Sequence, residues 1–180
     1  MDVEVRQVMN AVRGSKLRDN ITIHQSPAAD LDSLIEGLND HRPRIVHFSG
    51  HGYRGGVAVD HPQVKRPKSG RVMTFNILSK ALAATDTPPN VIVLNACESA
   101  RARSALLPPA QAIVVMQDSI SDIAATSFAV KFYAAIAAGQ SLQAAFNQGA
   151  VAVAEASINE AATPQLIVAK DINPKKMILT

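Results

Sequence analysis

Three short, mostly apolar runs constrain the fold of this 180-residue chain more than any other feature. They cover residues 44–48, 91–94 and 112–116, and polar or turn-forming residues stop each of them. A strand that is covered on both faces is apolar throughout rather than in alternation, so these runs predict central strands of a parallel sheet. Amphipathic segments lie between them. The chain is therefore predicted to be an α/β protein with a mostly parallel sheet between two layers of helices.

The remaining patterns predict further helices and strands. The segments 57–59 and 72–74 are expected to pair as a hairpin. Its basic connection, residues 60–71, is predicted to be either a solvated tip or a docking site for an acidic partner. No repeat or linker divides the chain, so one domain over residues 1–180 is expected. Helices are predicted over 3–17, after Asp30, over 76–84, over 123–138 and over 141–158, and further strands over 21–23, 164–169 and 177–179.

Composition excludes several classes of protein. The single cysteine, Cys97, excludes an internal disulfide and any zinc site built from several cysteines. The net charge of +3 is scattered and aromatic residues are only 4%, so direct binding of nucleic acid is not expected. There is no apolar leader and no apolar run of membrane-spanning length. We expect a soluble cytoplasmic protein that has no membrane partner.

Chemically reactive side chains follow two of the predicted strands. His51 follows the first apolar run, and Cys97 follows the second. Because parallel strands end at the same edge of a sheet, the two side chains are expected to meet there as a nucleophile and a proton-transfer group. The N–H groups of Gly52 and Cys97 are the expected donors to an oxyanion. A lone cysteine or a lone loop histidine is more often structural, and it is their pairing that favours catalysis.

A dinucleotide site is the competing interpretation of the same loop. Residues 50–55 fit the pattern G-x-G-x-x-G after a strand. That fingerprint also requires a helix that starts in the loop and an acidic residue about 20 positions later. Here the loop leads into a predicted strand, and no acid stands at the required distance. The pattern therefore does not favour a nucleotide cofactor.

The two motifs, residues 46–52 (VHFSGHG) and 93–99 (VLNACES), resemble the catalytic motifs of CHAT domains. These domains are caspase-like cysteine peptidases of bacteria that are related to separase. Residues 4–6, 15–19, 128–133 and 139–141 extend the resemblance over nearly the whole chain. It implies that Cys97 is the nucleophile, that His51 transfers the proton and that Gly52 and Cys97 form the oxyanion hole. No cofactor and no metal ion is expected for this chemistry.

One departure from the family pattern concerns the start of the sheet. CHAT domains usually have an apolar strand before the helix that here contains Glu4, and Met1 stands at the start of that helix. The first strand of the family is therefore expected to be missing, to be lost to a shortened start, or to be supplied by a partner.

The resemblance also suggests a substrate pocket. Asp118 and Asp122 are candidates for a pocket that takes a basic P1 residue, although Ser119, Ser121 and Asp122 also suit a helix cap. Asn95 is expected either to line the pocket or to hold the loop, and Glu98 to be structural, exposed or part of the pocket.

The predicted function is that of a cysteine endopeptidase acting on a protein or peptide substrate. Its activation is expected to require a sensor or adaptor protein, or self-association, in a bacterial signalling or defence system. The alternative is a catalytically silent domain for interaction or oligomerisation on the same fold.

Overall fold

The computed structural model of the chain describes residues 2–53, 55–59 and 71–180, without the side chains of residues 2 and 71. The basic connection between residues 60 and 70 lies outside the described residues, so neither interpretation of it is tested. The described helices are α1 (Asp2–Arg13), α2 (Leu31–His41), α3 (Phe75–Ala83), α4 (Arg103–Leu106), α5 (Asp122–Ala137) and α6 (Leu142–Ala156).

The strands form two sheets. The larger sheet has the order β1 (Ile45–Ser49), β5 (Val91–Asn95), β6 (Ala112–Met116) and β7 (Pro164–Val168). In it β1, β5 and β6 are parallel and β7 is antiparallel, which confirms the mostly parallel sheet. The smaller sheet is antiparallel and contains β2 (Gly52–Tyr53), β3 (Gly56–Val59) and β4 (Arg71–Thr74), so the predicted hairpin is also confirmed.

Each face of the larger sheet is covered by its own apolar core. Val93 and Val114 pack with Phe128 and other residues of α5 and α6, whereas their neighbours on the strands point to the opposite face. There Ile92 packs with Leu78 of α3 and with residues of α4. Alternate residues of one strand thus enter two different cores, and both require apolar side chains. This is why β6 and the first four residues of β5 are apolar throughout, and it gives the predicted layers of helices on both faces.

The predicted helix ends are largely confirmed. Asp30 caps α2 through a reciprocal pair of hydrogen bonds with Ser33. The hydroxyls of Ser121 and Ser141 accept hydrogen bonds from the first turns of α5 and α6. Gly139 follows α5 with a φ of 78°, a backbone conformation that favours glycine.

Three sequence predictions were wrong in detail. Residues 21–23 do not join a strand ladder, because no neighbouring strand pairs with them among the described residues. Residues 177–179 contribute only one isolated bridge, between Ser141 and Ile178. The first helix was predicted over residues 3–17, yet α1 ends at Arg13 and residues 14–17 form turns and a bend. Apolar side chains predicted a strand in the first two places, but a strand also needs a partner for its backbone.

One edge of the larger sheet is formed by β1, on whose outer side the described residues place no strand. All five of its residues are only half-buried, whereas all five residues of β5 are buried. Of the helices that the structure describes, none combines the length and the apolar character that a membrane crossing requires.

Candidate active site

The parallel pairing of β1 and β5 brings the two sequence motifs together. Ser49 and Asn95 are the last paired residues of the two strands and lie opposite each other in the register. His51 and Cys97 each follow that pair by two residues, so both leave the sheet at the same edge. The N–H of Gly50 donates to the carbonyl of Asn95 over 3.4 Å, which continues the contact beyond the strands.

Gly52 lies directly against the peptide of Cys97. A Cβ atom at position 52 would stand 2.1 Å from the Cys97 carbonyl oxygen and 3.0 Å from its backbone nitrogen. Any side chain would therefore collide with backbone, and only glycine permits this approach. The N–H of Cys97 donates no hydrogen bond to another described residue, so it remains available to a ligand.

The thiol of Cys97 is half-buried and faces the loop after β6. Its sulfur lies 3.8 Å from the backbone oxygen of Ile120, within range of an S–H···O contact. In contrast, His51 is exposed, and its imidazole makes no hydrogen bond with the residues that the structure describes. Among the described residues, the side chains of His51 and Cys97 therefore form no hydrogen bond with each other.

Hydrogen bonds to the neighbouring strands hold the turn that carries Cys97. Glu98 has a φ of 54° and a ψ of 25°, the left-handed conformation that a non-glycine residue adopts at some cost. The hydroxyl of Ser99 is buried, donates to the Leu94 carbonyl over 3.1 Å and accepts from the Met116 N–H over 2.8 Å. Ser99 therefore fastens the turn to both neighbouring strands.

Beneath the two motif loops lies a polar group that we call the strand-end cluster: Glu4, His47, Ser49, Asn95 and Tyr133. Glu4 and Asn95 are buried, and the other three are half-buried. The carboxylate of Glu4 accepts from the Ser49 hydroxyl at 2.9 Å and from the Asn95 amide at 3.4 Å. Nε2 of His47 lies 3.6 Å from the other oxygen of Glu4, and Nδ1 lies 3.1 Å from the Tyr133 hydroxyl. Helices α1 and α5 thus meet both motif strands through polar contacts.

Burial perturbs the ionisable groups of this cluster. It lowers the pKa of His47 to about 4, since the charged imidazolium is poorly solvated there. It raises the pKa of Glu4 above its ordinary value, although the hydrogen bonds from Ser49 and Asn95 act in the opposite direction. It also raises the pKa of Tyr133, with a further contribution from the Glu4 charge. At neutral pH the imidazole of His47 is therefore neutral.

The other candidate residues fall in different places. Asn95 is 3% exposed, and its amide also donates to the Ala125 carbonyl at 3.0 Å, which favours the holding role over a pocket role. Glu98 is exposed beside Cys97, and its N–H donates to the Asp118 carbonyl over 3.4 Å. Asp118 is exposed on the loop that also faces the thiol. Asp122 is the first residue of α5, where Ser121 supplies the cap.

Sequence analysis assigned no role to four members of the strand-end cluster: Glu4, His47, Ser49 and Tyr133. A signal was present for His47, because a histidine interrupts an otherwise apolar strand. Glu4 and Tyr133 lie on helices far away in the chain and resemble ordinary helix residues. Only the contacts that α1 and α5 make with β1 bring them to the site.

The fold and these two motifs define a caspase-like α/β domain with a histidine and a cysteine at one sheet edge. The CHAT domain family model matches residues 2–166, and the chain belongs to that family. This match confirms the resemblance that the motifs indicated. The CHAT family is related to cysteine peptidases. No curated protein matches the chain.

Proposed function

We propose that this CHAT domain is a cysteine endopeptidase that uses Cys97 as nucleophile and His51 as proton-transfer residue. The observation that carries the proposal is the contact between Gly52 and the Cys97 peptide. It joins the histidine loop to the cysteine turn and leaves the Cys97 N–H available to a ligand at the same place. A cysteine peptidase requires these parts together, namely a thiol, a proton acceptor and an oxyanion donor.

The chemistry follows from these parts. The Cys97 thiol gives its proton to His51, and the sulfur attacks the carbonyl carbon of the scissile bond. The oxyanion that forms accepts hydrogen bonds from the N–H groups of Cys97 and Gly52. His51 then protonates the leaving amine, the C–N bond breaks, and a thioester remains. Water, deprotonated by His51, attacks the thioester and releases the acid product and the thiol.

Activation by a sensor, an adaptor or self-association forms a further part of the proposal. The resting thiol faces the carbonyl of Ile120, and His51 is turned to solvent. A partner that moves the loop after β6 would free the thiol and allow the dyad to close on a substrate. Asp118 on this loop is the proposed determinant for a basic P1 residue.

The test is cleavage of a fluorogenic peptide library by wild type, Cys97→Ala and His51→Ala, with circular dichroism to show that each variant is folded. We expect both variants to lose hydrolysis by at least about 100-fold, because a proton-transfer group alone contributes about 10²–10⁴-fold. An irreversible peptidyl ketone probe should label Cys97 in the wild type, but only weakly in His51→Ala. Variants that cleave the library as wild type does would overturn the proposal.

The alternative is a catalytically silent interaction domain, and it is favoured by the outer edge of β1, which no strand of the described residues pairs with. Such an edge offers free backbone groups to an added strand. The two functions differ in the probe experiment, since a silent domain would show no His51-dependent labelling of Cys97. It would instead bind a partner equally well with or without the thiol.

A further inference from the structure

We propose that Glu4 is a positioning residue that ties the ends of the two motif strands together and so sets His51 and Cys97 in register for cleavage. This inference rests on the proposed function. One oxygen of Glu4, Oε2, accepts hydrogen bonds from both strand ends, at 2.9 Å from Ser49 and 3.4 Å from Asn95. The same two residues face each other in the β1–β5 register.

The hydrogen bonds of Glu4 lie directly next to the two motif loops. Ser49 precedes His51 by two residues, and Asn95 precedes Cys97 by two residues. Just beyond this pair, the hydrogen bond from the Gly50 N–H to the Asn95 carbonyl joins the two strands again. A loss of the Glu4 contact would therefore reach both motif loops at once.

Burial makes Glu4 a costly residue to keep for packing alone. It is only 7% exposed, and no lysine or arginine among the described residues forms an ion pair with it. A buried carboxylate without a cationic partner is unfavourable unless hydrogen bonds compensate for lost hydration. Its position in the first turn of α1 adds the favourable field of the helix N-terminus. The remaining compensation comes from the two strand ends.

The cluster also connects helices to the site. The amide of Asn95 donates to the Ala125 carbonyl of α5 as well as to Glu4. Helices α1 and α5 pack closely on each other. A displacement of α1 would move Glu4 and would thus be felt at both strand ends.

The experiment compares Glu4→Ala and Glu4→Gln with the matched control Glu155→Ala, an exposed glutamate on α6. The first readout is native-state amide exchange at two hydrogen bonds of the same strand pair. Gly50 donates to Asn95 at the site end, and Val91 donates to Arg44 over 3.0 Å at the far end. We expect Glu4→Ala to speed exchange of Gly50 by at least about tenfold relative to Val91. The control should change neither amide.

The second readout is kinetic and uses peptides that the wild type cleaves. We expect kcat per folded molecule to fall about tenfold or more in Glu4→Ala with KM nearly unchanged, since positioning acts on the transition state. Glu4→Gln keeps a carbonyl acceptor for Ser49 or Asn95 and should recover part of the loss. In the double variant Glu4→Ala/Ser49→Ala, kcat should be no lower than in the worse single variant, because both substitutions break one contact.

Three results would overturn the role of Glu4. Equal acceleration of exchange at Gly50 and Val91 would mean that Glu4 only stabilises the fold. An unchanged kcat in Glu4→Ala would mean that the strand ends do not need it, and additive losses in the double variant would separate it from Ser49. If instead the wild type hydrolyses nothing that Cys97→Ala does not, the proposed function fails, and the exchange comparison still decides whether Glu4 joins the strands.

Discussion

The body of the β1–β5 pair and its site end obey different physical rules. In the body, Val91 to Leu94 are fully buried among apolar side chains. At the end, within two or three residues, the same strands reach Ser49, Asn95 and a buried carboxylate. The body is held by apolar burial, which tolerates many sequences of similar shape. The end is held by a few directed hydrogen bonds, and each of these requires a particular donor atom and a particular acceptor atom. Stability therefore resides mostly in the body, and the geometry of the site depends on the end.

The largest expected effect is on the stability of the body. Phe128 is completely buried and stacks on Phe132 with ring centroids 5.6 Å apart. We expect Phe128→Ala to lower the free energy of unfolding by about 3–5 kcal/mol, through lost burial and the cavity left behind. The measurement is urea unfolding followed by circular dichroism. Ile158→Ala is the control, because Ile158 is 76% exposed and its truncation should cost less than about 0.5 kcal/mol.

The second effect distinguishes the polar end from the apolar body by its pH dependence. Burial lowers the pKa of His47 in the folded state to about 4, against 6.5 in the unfolded chain. The unfolded chain therefore binds the proton first, and the stability present above pH 6.5 is lost as the pH falls towards 4. The loss is at most about 3 kcal/mol, taking 1.36 kcal/mol per pKa unit. Since 16% of the His47 side chain is still exposed, this is an upper value.

The measurement is the free energy of unfolding at several pH values for wild type and His47→Gln. The variant cannot titrate at this position, so its curve should be flatter between pH 6.5 and 4. Glu4 contributes the opposite slope because its pKa is raised in the folded state, and it does so in both proteins. The difference between the curves therefore reports His47 together with its 3.6 Å contact to the Glu4 carboxylate. Parallel curves would show that protonation of the His47 imidazole does not lower the free energy of unfolding.

The third effect is smaller in stability and larger in function. Gly52→Ala places a Cβ atom 2.1 Å from the Cys97 carbonyl oxygen, so the backbone has to move. We expect a loss of about 1–3 kcal/mol in stability, typical of overpacking. Labelling of Cys97 by the peptidyl probe should fall by at least tenfold. Gly37→Ala is a suitable control, since its added Cβ meets no atom within 4 Å and its φ is that of an ordinary helix residue. Full labelling of Gly52→Ala would contradict the proposed oxyanion site.

The smallest expected effect is a change in selectivity alone. Asp118 is exposed, so Asp118→Asn should leave the free energy of unfolding within about 0.5 kcal/mol of wild type. If the carboxylate recognises a basic P1 residue, kcat/KM for peptides with P1 lysine or arginine should fall by about tenfold. Peptides with a neutral P1 residue should be cleaved as before. An equal fall for both kinds of peptide would remove Asp118 from the pocket.

Much of the body of the fold could be predicted from the sequence. The apolar runs gave β5 and β6 to within one residue of their observed bounds, because burial on both faces leaves a strong local pattern. The N-caps Asp30, Ser121 and Ser141 could also be predicted from the sequence, since capping depends on neighbours within one turn. Residues 21–23 and 177–179 have the composition of strands but lack a partner ladder, and pairing is not a local property.

The site divides in the same way. The sequence by itself singled out the residues proposed to carry the chemistry, His51 and Cys97, and proposed Gly52 as a donor to the oxyanion. It also determined their common edge, since parallel strands end together. Only the tertiary structure decided what supports them. The contacts of Glu4 with Ser49 and Asn95 span 45 and 91 residues, and such contacts leave no periodic signal in the chain. A buried carboxylate acquires its role from whatever the fold packs around it, because hydrogen bonds act over about 3 Å and the sequence does not fix distances.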